Sequence, residues 1–318
     1  MCRLFFKDAD DKLPGLLEYL DPDMTGSVDY ITWCKLLSPR DLPEITANCR
    51  NPNGPLSQAT LTNDELDLME AMMERAHSLA AEAVRCGTRV MIDAEQVRFQ
   101  PAIDNLVLEL QQKYNSTNDT DRPIVFNTYQ CYLQDTASRL RVDIARSERF
   151  SYHFGAKLVR GAYLESERAL AQEMGYPSPI HETLDDTHAC YNDSVEFLMR
   201  HSQKTDQQVE LVCATHNQES IEKAIGLMEE LGVDKSDGPV HFAQLLGMSD
   251  NLTFNLGAHG YQAYKYVPYG KVEEAVPYLL RRAEENSAIA GSATRELALL
   301  MDEATRRVQQ SRLFTFSS

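Results

Sequence analysis

Residues 210–232, ELVCATHNQESIEKAIGLMEELG, hold the repeating unit of this chain in one line. Glu210-Leu-Val-Cys-Ala-Thr215 is short and β-rich, and it ends in the polar residues Thr215, His216 and Asn217. An amphipathic stretch follows, closed by Gly232 where a helix C-cap favours glycine. Five other runs share the β-rich character and the polar end: Thr88–Asp93, Pro123–Asn127, Ala156–Arg160, Val240–Gln244 and Ala263–Val267. Between them lie helical stretches such as PAIDNLVLELQQKY, so the unit strand, helix, strand predicts parallel βαβ connections.

The polar ends are Asp93 and Glu95, Asn127 and Gln130, Arg160 and Tyr163, Thr215 to Asn217, Gln244, and Tyr266. A (β/α) barrel assembles its site from strand C-termini and the loops after them, which is what this recurrence supplies. A doubly wound sheet would gather ligands at one switch point, and no G-x-G occurs for a dinucleotide crevice. Six candidate strands are countable, against about eight in a closed barrel of this kind.

The chain has 318 residues, 43% hydrophobic and 25% charged, enough for one large core or two domains. Its net charge of −17 argues against nucleic acid or an anionic membrane surface as partner and favours small-molecule chemistry. The 7 cysteines include no C-x-x-C pair, so neither a disulfide framework nor a zinc site is expected. MCRLFFKDADDK resembles neither a signal nor a transit peptide, and no apolar run is long enough to span a bilayer.

Residues 1–60 are expected to form a helical and loop insertion segment, and 61–318 the barrel part. The first segment contains DPDMTGSVDYIT, which matches a calcium loop at Asp21, Asp23, Thr25, Gly26 and Asp29. Thr32 stands where such a loop needs a bidentate Glu, so a relic loop or an Asx-rich turn competes with a weak calcium site. Thr62-Asn-Asp-Glu65 is a capping box that opens a long helix.

Near the C-terminus, YLLRRAEEN puts Tyr278, Arg281, Arg282 and Glu285 at i, i+3, i+4 and i+7, the spacing of a helix's inward face. Two guanidinium groups there need an anion, and a planar carboxylate matches their donor forks. A solvated face with i, i+4 pairs is the plainer alternative.

Taken in order, MIDAEQ, FNTYQCYL, KLVRGAYLESER, CATHN, FAQLLGM, YKYVPYG and YLLRRAEEN resemble the FAD-dependent proline dehydrogenase family in its eukaryotic mitochondrial form. The resemblance runs from about residue 60 to the end. It implies an α/β fold, a distorted, TIM-like (β/α)8 barrel with its last helix over the strand ends. It also implies oxidation of L-proline to Δ1-pyrroline-5-carboxylate, the first step of proline catabolism to glutamate, with electrons passing to FAD and then ubiquinone.

Carried onto this sequence, the resemblance makes Arg281 and Arg282 the grip on the proline carboxylate. Tyr266 and Tyr278 become walls of the ring, Leu246 an apolar contact, and Asp93 an acid at the pocket floor. Asn127, Lys157, Val159, Gly161, Ala162, Thr215, His216 and Asn217 match positions lining the FAD, with Glu285 close to the isoalloxazine through its link with arginine. Plainer roles stand beside these: Lys157 or Lys265 as a barrel-layer or Schiff-base lysine, His216 as a helix cap, Gly161 as packing, and His181 and His188 as surface residues.

An aromatic at Tyr266 favours unsubstituted proline, whereas the related hydroxyproline dehydrogenases carry a smaller residue there. The family places two more strands before MIDAEQ, the second with a lysine that pairs with the pocket aspartate. Neither strand is found in this sequence, so Asp93 is expected to lack that partner, and the chain alone to be unstable, inactive or a non-catalytic fragment. By family resemblance the location is the matrix side of the mitochondrial inner membrane, with peripheral association.

Overall fold

A computed structural model of the protein describes residues 60–287 and 290–314, together with Gly26, Pro39, Arg40, Pro43 and Gln58. The side chains of residues 281, 283–296 and 311–314 lie outside the description. Two compact units result, Met1–Arg85 and Cys86–Ser318.

In the first unit, helix α1 (Asn63–Cys86) begins at the capping box. Thr62 Oγ1 accepts from the Glu65 amide at 3.3 Å, and Glu65 Oε2 accepts from the Thr62 amide at 2.8 Å. Arg40 pairs with Glu70 on this helix. The calcium-loop candidates Asp21, Asp23, Thr25 and Asp29 lie outside the described residues; Gly26 has φ +77°, the turn that glycine permits.

The second unit runs β1 (Val90–Met91), α2 (Gln100–Tyr114), β2 (Val125–Gln130), α3 (Thr136–Arg149), β3 (Phe154–Val159), α4 (Leu164–Met174) and α5 (Leu184–Ser202). It continues β4 (Val209–Ala214), α6 (Gln218–Leu231), β5 (Val240–Leu245), α7 (Asp250–Ala258), β6 (Ala263–Tyr266), α8 (Val272–Ser287) and α9 (Ala290–Phe314). The six strands lie in chain order, each parallel to the next. All six expected runs are therefore strands, in a curled sheet of the TIM-like α/β class. Their bounds move where neighbours decide them. The second run gains its ladder from Val125 to Gln130, because Pro123 has no N–H and the Asn115 side chain takes the amides of Ile124 and Val125. The first run keeps only Val90 and Met91, paired on one side.

Strand parity sorts the sheet into two faces. Tyr129, Phe154, Ala156, Leu158, Leu211, Cys213, Val240 and Phe242 face the helices and form the core with Leu140, Tyr191, Leu198 and Met228. The register aligns Thr128, Lys157, Val212 and His241 on the opposite, inner face. Gly155 belongs to that inner face because a Cβ there would lie 2.8 Å from Phe126 Cγ. Gly232 caps α6 in the left-handed region at φ +67°, as its sequence position predicts.

At the N-terminal end of the sheet, buried polar groups hold the strands together. Asn115, fully buried, donates to the carbonyls of Val125 (2.8 Å) and His153 (3.0 Å) and accepts from the amides of Ile124 (2.9 Å) and Val125 (2.8 Å). That fills all four bonds its amide group offers. Glu210, on the inner face, pairs with Arg89 at 2.7 Å, Arg122 at 3.4 Å and His241 Nε2 at 3.0 Å.

Candidate functional site

The opposite end of the sheet is built from less completely buried groups. After β5 and β6 the chain passes through Leu246 and Pro268, and Tyr278 of α8 meets Tyr266 at the end of β6. A cleft of about 240 Å³ opens there between Leu245, Leu246, Met248, Pro268, Tyr278, Leu279 and Arg282. Tyr278 and Arg282, four residues apart, share the face of α8 that lines it. The Tyr266 and Tyr278 rings lie 5.8 Å apart at 35°, and the Arg282 guanidinium sits 5.2 Å from the Tyr278 ring centre. Burial raises the Tyr278 hydroxyl above its ordinary range, with the neighbouring Tyr266 and the Asp93 charge pushing the same way. Tyr266, Tyr278 and Arg282 are thereby brought to one place. The side chains of Arg281 and Glu285 lie outside the described residues, although both backbone positions fall within α8.

Asp93 pairs with Lys157, which reaches it from the inner face of β3. The lysine that the family resemblance implies is a different residue from Lys157, which lies on β3, two strands away from β1. Lys157 is 13% exposed and Asp93 55%, so the pair is anchored at the lysine and open to solvent at the carboxylate.

The ends of β3 and β4 carry the next group. Val159 and Ala162 are half-buried, and Gly161 has φ +133°. A Cβ at Gly161 would stand 2.3 Å from Tyr132 Cδ1, so packing by itself demands glycine there. Thr215 Oγ1 accepts from Arg160 Nη1 at 2.7 Å and from the Asn217 amide at 3.1 Å. Asn217, and not His216, caps α6: its Oδ1 accepts from the Ser220 amide at 2.9 Å. His216 instead meets Ser249 Oγ at 2.9 Å through Nδ1, and Ser249 is held at φ +50°. As donors, the Lys157 ammonium, the Thr215 hydroxyl and the Asn217 side-chain amide fit a flat heterocycle rich in carbonyl and ring-nitrogen acceptors, while His216 is taken up by Ser249 and by the Leu245 amide, which donates to its Nε2 at 3.5 Å. The residues present are compatible with a flavin.

Asn127 stands apart from this group. The register pairs it with Ala156, on the helix side of the sheet, while Lys157 and Val159 occupy the inner side. Its amide is fully buried and donates to Asp104 of α2 at 3.0 Å. Asp104 also binds Arg139 of α3, and Tyr129 donates to Asp143 at 2.8 Å in the same layer. Burial pushes Asp143 up to about 6. Lys265 is likewise on the helix side, bound to Asp250 at 2.7 Å and to the Met248 carbonyl at 2.7 Å, where a Schiff-base role has no access to the cleft.

Sequence reasoning passed over Arg160 as a site residue and set His188 aside as surface. Arg160 Nε donates to His188 Nδ1 at 2.7 Å, its Nη2 to Ser220 at 2.9 Å, and its guanidinium stacks 4.5 Å over Tyr191. His188 is half-buried, and burial together with the Arg160 charge lowers its pKa. The signal available was parity, since Arg160 continues the helix-facing series of Ala156 and Leu158. Among the described residues no group of acidic, histidine and cysteine side chains is arranged to hold a metal, and no helix is long and apolar enough to cross a membrane.

Comparison with known proteins adds three findings. The family model described as proline dehydrogenase matches residues 23–295. Human mitochondrial proline dehydrogenase 1 is 41% identical over 296 residues, covering 92% of this chain and 48% of the relative. Bovine hydroxyproline dehydrogenase is 38% identical over 312 residues, covering 92% of this chain and 67% of the relative. The chain spans about half the length of the proline dehydrogenases it matches. In fold, it is similar to a crystal structure of proline utilization A from Bdellovibrio bacteriovorus inactivated by N-propargylglycine. The TM-score is 0.61 at 21% identity, over 69% of this chain and 22% of that one.

Proposed function

This chain belongs to the proline dehydrogenase family, and from that premise we propose that its strand-end site binds FAD and oxidises L-proline to Δ1-pyrroline-5-carboxylate. The observation that carries the reading is the Tyr266, Tyr278 and Arg282 stack over the cleft. A small zwitterion needs an anion grip at one end and an apolar enclosure around its ring, and this cleft offers both.

Arg282 binds the proline carboxylate, joined by Arg281 from the same helix, and Glu285 orients the pair. Tyr266 and Tyr278 confine the ring, and Leu246 meets its apolar edge. Fixing the substrate in this way replaces the entropic penalty of alignment with binding energy spent before the chemical step. FAD, when bound, supplies the two-electron acceptor for the substrate hydride.

Lys157 would hold the cofactor with its positive charge, Thr215 and Asn217 with hydrogen-bond donors, and His216 with its ring. Ser249 holds His216 in one orientation, and Arg160 fixes Thr215 from behind. Asp93 keeps the Lys157 ammonium on the inner face. Val159, Gly161 and Ala162 give the cofactor a surface without bulky side chains. Asn127 serves the scaffold beneath. We further propose ubiquinone as the electron acceptor and a location at the matrix side of the mitochondrial inner membrane, in keeping with relatives named as mitochondrial.

The test is spectroscopic and kinetic. Against the sequence expectation of an unstable or inactive chain, the purified protein should carry a flavin spectrum and reduce an artificial electron acceptor only when proline is added. A colourless protein that stays colourless with added FAD contradicts the proposal. The second reading, a hydroxyproline dehydrogenase, is weighed against the Tyr266 ring, which closes on Tyr278 where a 4-hydroxyl would need room. A higher specificity constant for trans-4-hydroxyproline than for proline would reverse that choice.

A further inference from the structure

Arg160 has partners on three elements, and one of them sets a condition on the rest. It lies directly after β3, where the pairing of Leu158 with Cys213 carries on to set it beside Thr215. Its carbonyl accepts from the Tyr132 amide at 2.7 Å and its guanidinium stacks on the buried Tyr191 ring, so backbone and side chain are both held. Three of its N–H groups are engaged: Nη1 with Thr215 Oγ1 at 2.7 Å, Nη2 with Ser220 Oγ at 2.9 Å and Nε with His188 Nδ1 at 2.7 Å. None of these acceptors is a carboxylate.

Two of the bonds straddle the turn that opens α6. Thr215 stands before it and Ser220 in the first helical turn, both buried. Between them Asn217 donates its amide to Thr215 Oγ1 at 3.1 Å and accepts from the Ser220 amide at 2.9 Å. Both acceptor positions of the Thr215 hydroxyl are thereby filled, which leaves its proton as the bond it can offer a ligand. Arg160 thus ties the two flanks of the turn that carries Thr215, His216 and Asn217.

The third bond carries the condition. An arginine Nε always bears its proton, so His188 Nδ1 is the acceptor and the imidazole is neutral. A protonated ring would turn an N–H toward an N–H and a cation toward a cation. Burial and the Arg160 charge keep the proton off, Asp185 of α5 and Glu219 of α6 favour it, and Lys223 of α6 opposes it. The balance lowers the His188 pKa, so the contact is complete above that value and is lost as the pH falls through it.

We propose that Arg160 and neutral His188 are positioning residues that hold the turn from Thr215 to Asn217 in the shape that binds FAD, and that a proton on His188 releases it. The inference rests on the reading of that turn as part of the flavin site.

The full chain, freed of flavin, is titrated with FAD and followed by fluorescence at about pH 7.5 and about pH 5.5, either side of the ordinary histidine range. Wild type should bind FAD about fivefold more weakly at the lower pH. His188→Asn, whose side-chain oxygen accepts from Arg160 without titrating, should match wild type at the higher pH and lose little at the lower. Arg160→Met should weaken FAD about tenfold at both. Amide hydrogen exchange of residues 215–221 reads the same turn without flavin. It should be faster in Arg160→Met, and at the lower pH faster in wild type than in His188→Asn. The comparison of wild type with His188→Asn decides the matter even if Arg160→Met folds poorly. The same loss of affinity with pH in wild type and His188→Asn, or the same exchange of the turn in both at the lower pH, overturns the inference. A wild-type chain that binds no FAD at either pH contradicts the flavin reading, and exchange of the turn then decides the positioning role by itself.

Discussion

The N-terminal and C-terminal ends of the parallel sheet both gather polar side chains, but they finish them differently. At the N-terminal end Asn115 uses all four of its hydrogen-bonding positions while fully buried, and Glu210 is ringed by Arg89, Arg122 and His241. At the C-terminal end the carboxylate of Asp93 is more than half exposed, and Tyr278 and Arg282 border an open cleft. Polar groups that are buried and matched hold strands in register; polar groups left at a cleft have bonding capacity for a ligand. The same residue classes thus mark scaffold at one end and chemistry at the other, and their burial separates the two.

The contrast is most exposed to failure at Asn115. Asn115→Ala removes bonds to four buried backbone groups and should lower unfolding free energy by about 4 kcal/mol, measured by urea denaturation. A loss near zero would dissolve the distinction. The corresponding change at the other end is Arg282→Met, which should leave the fold intact and weaken kcat/KM for proline about 100-fold, or about 3 kcal/mol, while flavin stays bound. Loss of flavin together with activity would mean that Arg282 is scaffold.

Asp143, behind β2, sharpens the comparison through pH. Its folded-state pKa of about 6 lies above the reference value of 3.8. Its favourable contribution is therefore present below about 3.8, falls as the pH rises toward about 6, and is gone above that. Asp143→Asn should flatten this slope and stabilise the protein near pH 7 by about 2 kcal/mol, read from thermal or urea unfolding across pH 4 to 8 (about that range). An unchanged pH slope would remove Asp143 as its source. The smallest effect is expected at Tyr266: Tyr266→Ser should shift the ratio of specificity constants toward trans-4-hydroxyproline by about tenfold. An unchanged ratio would leave the aromatic wall without a role in selectivity.

Much of this architecture was legible in residues. Each polar-ended β-rich run became a parallel strand, because alternating strand and helix signals are local and β-branched residues, Gly232 and the Thr62 capping box act over a few positions. Parity was the missing step. Nothing local says which face of a strand turns inward, so Asn127 and Lys157 were assigned to one cavity although the register puts them on opposite faces. The Asp93 and Lys157 pair and the Arg160 and His188 contact both join separate elements. Such contacts follow from the order in which strands neighbour each other, which the spacing of motifs does not encode.

The central claim is that the C-terminal end of the sheet is a proline-oxidising flavin site gripped by Arg282. Its most direct test is an anaerobic proline titration of the flavin-loaded chain and of its Arg282→Met variant, followed by flavin absorbance. The account predicts that proline bleaches the wild-type flavin and that the variant, still yellow, needs about 100-fold more proline for the same bleaching. Bleaching at equal proline concentrations in the two proteins, or none in wild type, would contradict it.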